Sequence, residues 1–140
     1  MARPRQTASQ PSLIFAEENA DTRREYVSAL KEAGFAVTDV CSSHEALRAV
    51  HEQQPDVVIT DLALSNMDGV ELTRELRADP ATRSIPVIGM SCRAAADRER
   101  VGRAGFAQVL AGSCAPAQLV ADIRMVLAQR RARACRIDEP

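Results

Sequence analysis

The chain has no tryptophan, one tyrosine and three phenylalanines in 140 residues, so a protein that grips a flat cofactor by stacking would have little to work with. Lysine is nearly missing as well: Lys31 stands alone, and every other fixed positive side chain is an arginine. No apolar run approaches the roughly 18 residues of a membrane span, and the opening MARPRQTASQ has no apolar core of a secretory signal. The four cysteines, Cys41, Cys92, Cys114 and Cys135, are far apart with no CxxC pair, and His44 and His51 are the two histidines. That spacing argues against a metal cluster and fits reduced thiols, which points to a cytoplasmic protein. The net charge of −1 gives no general attraction to nucleic acid, so neither a membrane nor a nucleic-acid partner is expected. The basic stretch QRRARACR near the end reads as a solvated terminus.

What is present is ordinary globular material, 46% apolar and 26% charged, and a chain of this length is expected to fold as one domain that buries about 70% of its unfolded surface. Five short apolar stretches recur, SLIFA, FAVTDV, DVVIT, IPVIGM and AQVLA, each of strand length. Helical patterns separate them. ADTRREYVSALKEAG sets Val27, Leu30 and Ala33 on one face and stops at Gly34, and SSHEALRAVHEQ opens with Ser42 three residues before Glu45, a capping box. GVELTRELRA, RAAADRERVGRAG and APAQLVADIRMVLAQRR complete five helices. Strictly alternating strands and helices predict a doubly wound parallel sheet covered on both faces. FAVTDV alternates most and is the best candidate for an edge. Residues 1–11 and 132–140 read as flexible tails around a domain at 12–131.

The stretch VVITDLALSNMDG then stands out, because Val57, Val58 and Ile59 read as a strand buried on both faces while Asp61 places a carboxylate where it emerges. The first strand ends in acid too, at Glu17 and Glu18. In a doubly wound sheet the first and third strands are neighbours, so these three carboxylates are expected to converge at the carboxyl edge, where such sheets bind ligands. Converging carboxylates repel one another unless a cation lies between them, and a few acidic oxygens completed by water or phosphate describe a Mg²⁺ site.

Together the acidic pair after strand one, Asp61 followed by MDG, IPVIGMS ending in a hydroxyl, and GFAQVLA before the last helix resemble the receiver domains of response regulators. The resemblance spans residues 12–131. It implies the flavodoxin-like strand order 2-1-3-4-5 and a role in two-component signalling. Asp61 would be the phosphoacceptor for a histidine kinase or phosphotransfer protein. Glu17, Glu18, Asp61 and the backbone carbonyl of Ala63 would hold Mg²⁺, and the Ser91 hydroxyl would bond the phosphoryl group and switch its loop. The fourth helix, fifth strand and fifth helix would form the face for a homodimer or a downstream protein. Such a protein signals by binding and is not expected to be an enzyme acting on a separate substrate.

The sequence departs from the resemblance at named places. Gly112 and Ser113 replace the usual lysine-proline pair after strand five, Val109 replaces an aromatic, Glu17 and Glu18 replace aspartates, and Ser65 replaces a proline. Arg93 is the nearest candidate for a substitute cation. These departures keep an alternative open: a pseudo-receiver that binds partners without phosphorylation. A flavodoxin-like enzyme or cofactor carrier fits less well, because strand one runs into acids instead of a phosphate-cradling loop.

Overall fold

The computed structural model describes residues 10–91, 98–111 and 114–138. Val57, Val58 and Ile59 are wholly buried in β3 (Val57–Asp61), as their unbroken apolar run requires. Around it lie β1 (Ser12–Ala16), β2 (Ala36–Val40), β4 (Val87–Ser91) and β5 (Gln108–Ala111), alternating with α1 (Ala20–Glu32), α2 (Ser43–Gln53), α3 (Gly69–Ala78), α4 (Arg98–Ala104) and α5 (Pro116–Asp138). The sheet is five-stranded and parallel in the order β2-β1-β3-β4-β5. The expected flavodoxin-like order and the edge position of FAVTDV are both found.

Successive strand residues face opposite sides, and the core divides accordingly. Leu13, Phe15, Val57, Ile59, Ile88 and Met90 pack with Tyr26, Val27 and Leu30 of α1 and Leu119, Ile123 and Val126 of α5. Ile14, Ala16, Val58 and Val87 pack on the other side with Ala46 and Val50 of α2 and Leu72 and Leu76 of α3. Fully burying each such side chain contributes about 1.5–3 kcal/mol before the ordering cost. The single tyrosine bridges α1 and the start of α5: the Tyr26 hydroxyl donates to the Cys114 carbonyl, and burial, with the Cys114 neighbourhood, pushes its pKa up to about 12.

Helix ends follow the local chemistry. Gly34 takes φ +102° just past α1, a left-handed conformation that side chains resist. Ser42 caps α2 by accepting from the Glu45 N–H at 3.1 Å, but the Glu45 carboxylate takes the N–H of Cys41 at 3.0 Å rather than that of the cap residue. The complete capping box is at α3, where Asp68 and Glu71 each accept the other's N–H.

Two boundaries differ from the sequence reading. The expected tail at 132–140 is helical as far as Asp138, in α5. The run QRRARACRID holds Ala and Arg, strong helix formers, with no Gly or Pro before Pro140, and Arg130 donates to the Asp56 carbonyl at 2.8 Å, tying this half of the helix to the sheet. At the other end Pro11, counted with the tail, accepts from the Ala36 N–H at 2.9 Å and so joins the edge of the sheet. Residues 1–9 and 139–140 lie outside the described residues.

Candidate functional site

Asp61 ends β3 half-buried, with its Oδ1 accepting the Ala63 N–H at 3.1 Å. The strand reaches this point because the Leu62 N–H is still held by the Met90 carbonyl at 2.9 Å. Behind Asp61 the first residue of α3 comes very close. A Cβ on Gly69 would lie 2.6 Å from the Asp61 carbonyl oxygen and 2.8 Å from Leu62 Cα, so only glycine lets α3 begin against the aspartate's own backbone.

Glu17 follows β1, and its N–H donates to the Val40 carbonyl at 3.1 Å. Its carboxylate accepts the Asn19 N–H at 3.0 Å and sits beside Asp61. Burial is the main cause that raises the Glu17 pKa above the usual carboxylate range; the Asn19 bond opposes it, and the charge and hydrogen bond of Asp61 and the charge of Glu18 reinforce it. Glu18 is exposed and turned to the next loop, where its Oε2 accepts the Ser65 N–H at 2.7 Å. The expected three-carboxylate cluster is thus a close pair, Glu17 with Asp61, plus a third acid engaged by the β3–α3 loop. Among the described residues no three His, Cys, Asp or Glu side chains group as a metal site.

Ser91 ends β4 one position beyond Met90, the register partner of Asp61, and is 5% exposed. Val109 is half-buried opposite Gly89. The aromatic near this strand pair is Phe106, whose ring would be 2.8 Å from a Cβ on Gly89. Arg93, Gly112, Ser113 and Cys92 lie outside the described residues. His44 and His51 are on the surface.

Two arginines organise the site without having been singled out for it. Arg23 of α1 donates from one guanidinium nitrogen to the carbonyls of Glu17 at 2.7 Å and Glu18 at 3.4 Å, while its Nε pairs with Asp39 of β2 at 3.2 Å. It neutralises part of the acidic turn and fixes its path. Arg100 of α4, a helix of the expected partner face, pairs at 3.0 Å with Asp68, the cap of α3. Burial alone would raise the Asp68 pKa, but the Glu71 N–H and the Arg100 guanidinium outweigh it and hold the carboxylate below its usual range.

The sheet thus carries a half-buried carboxylate beside a second acid at its carboxyl edge. The family model described as "Response regulator receiver domain" matches residues 13–124. The transcriptional regulatory protein CseB of Streptomyces coelicolor is 35% identical over 121 residues, covering 86% of this chain and 50% of that protein. PrrA of Mycobacterium leprae, also a transcriptional regulatory protein, is 30% identical over 127 residues, covering 90% of this chain and 54% of its own. The chain therefore spans about half the length of these regulators. Among solved structures, the receiver domain of a Pseudomonas aeruginosa sensor histidine kinase, described with magnesium coordinated in its active-site cleft, superposes with a TM-score of 0.79 at 28% identity, covering 85% of this chain and 98% of that one. The chain belongs to the response-regulator receiver domains of two-component signal transduction.

Proposed function

We propose that Asp61 is the phosphoacceptor of this receiver, taking a phosphoryl group from a histidine kinase or phosphotransfer protein with the help of Mg²⁺. The observation that carries the reading is the Glu17–Asp61 pair: two carboxyls side by side at the carboxyl edge, one of them raised in pKa by burial and by the other's charge. Such a pair is unfavourable alone and favourable around a dication. Mg²⁺ takes oxygen ligands only, and one or two carboxylates with waters and phosphate oxygens suffice. The residues present fit it: Glu17 and Asp61 would hold the ion, with the Ala63 carbonyl and Glu18 as further oxygens at the same edge. When bound, the ion would neutralise charge on the phosphoryl oxygens.

The chain's own groups then act as follows. A carboxylate oxygen of Asp61 attacks phosphorus, the P–O bond forms as the donor's P–N bond breaks, and the imidazole leaves with the electron pair. The Ala63 N–H, already on Oδ1, orients the carboxylate so that its other oxygen is presented for attack. Ser91, at the end of the adjacent strand, supplies a hydroxyl for a phosphoryl oxygen. Asp68, held by Arg100, links the loop around Asp61 to α4, and so to the α4-β5-α5 face through which a second copy or a downstream protein would read the state. The protein acts by changing these contacts.

The reading as a scaffold that works without phosphorylation rests on one observation: Gly112 stands where the family carries lysine, and Lys31 lies in the last turn of α1. The two readings separate in a titration. Mg²⁺ should stabilise the natural chain against heat, and Glu17→Gln should lose most of that gain. Equal stabilisation of both proteins would count against the Glu17–Asp61 pair as the site.

A further inference from the structure

At the sheet edge opposite Asp61, the last turn of α3, the turns leading into β4 and β5, and the C-terminal half of α5 enclose a cavity of about 610 Å³. Among the described residues the charged side chains lining it are all of one sign: Arg77, Arg83, Arg130 and Arg133, with no Asp or Glu. The chain as a whole has a net charge of −1, so this is a local segregation of charge. None of the four pairs with a carboxylate among the described residues. Like charges gathered in this way repel, which makes an anionic occupant favourable.

Two of the guanidiniums are already positioned. Arg77 donates to the Gly105 carbonyl at 3.0 Å and to the Arg83 carbonyl at 2.9 Å, and Arg130 donates to the Asp56 carbonyl at 2.8 Å. Burial lowers the Arg77 pKa, since no carboxylate compensates it. Backbone carbonyls fix these groups without cancelling their charge, and the remaining N–H donors keep the planar fork that suits phosphate. The side chains of Arg83 and Arg133 stand exposed around the same cavity, and neither guanidinium makes a hydrogen bond or ion pair among the described residues. The rest of the lining includes Pro86, Phe106 and Val126, an apolar wall.

We infer that this cavity binds a small organic phosphate of nucleotide size. Its volume lies within the roughly 300–1,000 Å³ of small-molecule sites, which combine apolar walls with a few convergent polar groups. Four arginines suit a ligand with more than one phosphate, because each guanidinium can engage phosphate oxygens bidentately. The basic stretch QRRARACR contributes Arg130 and Arg133, so it is a wall of the cavity and not simply a solvated end. The site is independent of Asp61. It also reaches the far end of the signalling face, since the Arg77 stem lies 3.1 Å from where a Cβ on Gly105 would be, at the turn from α4 into β5.

The test is isothermal titration of the full chain, in magnesium-free buffer at about 0.15 M salt, with ATP, pyrophosphate, adenosine, a single-stranded RNA oligomer and vesicles of phosphatidylglycerol. ATP and pyrophosphate should bind and adenosine should not. Arg83→Ala and Arg133→Ala should each weaken binding about tenfold, the scale of one charge-assisted contact, and the double variant about a hundredfold. Both side chains lack described partners, so circular dichroism should be unchanged, and Arg133→Lys, which keeps the charge without the fork, should fall between. Absence of binding by ATP and pyrophosphate, binding as tight in the double variant as in the natural chain, or binding confined to RNA or vesicles would each overturn the inference.

Discussion

Gly69→Ala tests whether the approach of α3 to Asp61 is as tight as the structure shows. The new methyl would lie 2.6 Å from the Asp61 carbonyl oxygen, 2.8 Å from Leu62 Cα and 2.9 Å from Leu62 Cδ2. Two of these atoms are backbone, so no rotamer change relieves the clash, and the helix start must retreat by several tenths of an ångström from contacts whose optimum is about 3.5–4.0 Å. Overpacking of this kind costs about 1–3 kcal/mol, while replacing glycine returns up to about 1 kcal/mol of helix propensity and unfolded-chain entropy. The net is a loss of about 1–2 kcal/mol, or about 3–7 °C in Tm for a chain of this length. Gly102→Ala is the matched control: nothing lies within 4 Å of its Cβ position in α4, so it should be neutral or stabilising by about 0.5–1 kcal/mol. Differential scanning calorimetry reads both. If Gly69→Ala were as stable as the natural chain, α3 would be free to shift and the account of Gly69 would be refuted.

Other consequences follow from the charges. Because the Glu17 pKa is raised in the folded state, the folded chain holds that proton more tightly than the unfolded chain does. Stability should therefore fall as pH rises from the usual Glu range through the raised value, and Glu17→Gln should flatten that fall in magnesium-free thermal melts. Asp68 is the opposite case, with a lowered pKa: its contribution is present at neutral pH and is lost as pH falls through the folded value. Asp68→Ala should cost about 1–2 kcal/mol in urea unfolding at pH 7, through the lost cap of α3. Gly112→Lys should speed labelling by a small phosphodonor about 10- to 100-fold, the value of one charge-assisted hydrogen bond of about 1.5–3 kcal/mol. Unchanged labelling would show that the site has no need of that charge.

Features carried by local pattern were readable in the sequence. The unbroken Val57–Ile59 run announced a strand buried on both faces and Gly34 a helix stop, and the carboxylate ending that strand marked a candidate site, because each depends on neighbours in the chain. The details that shape the site depend on distant partners. Glu18 is drawn away from Asp61 by an N–H 47 residues later, and nothing near Glu18 signals it. Arg23 clasps the Glu17 and Glu18 carbonyls from the first turns of α1, a contact set by how α1 docks beside that turn and not by local pattern. The length of α5 was underestimated because a basic stretch reads as solvated, whereas Arg130 finds a carbonyl 74 residues away. Gly69 was visible only as part of MDG, and the close approach that demands it appears once α3 is docked on β3.

Whether Asp61 accepts the phosphoryl group is decided by intact-mass measurement after incubation with acetyl phosphate and Mg²⁺. The natural chain should gain one phosphoryl mass, and Asp61→Asn, which removes the nucleophilic oxygen, should gain none. Labelling should require the metal and should be slowed in Glu17→Gln. An unlabelled natural chain that remains unlabelled as Gly112→Lys, or equal labelling of Asp61→Asn, would contradict the account.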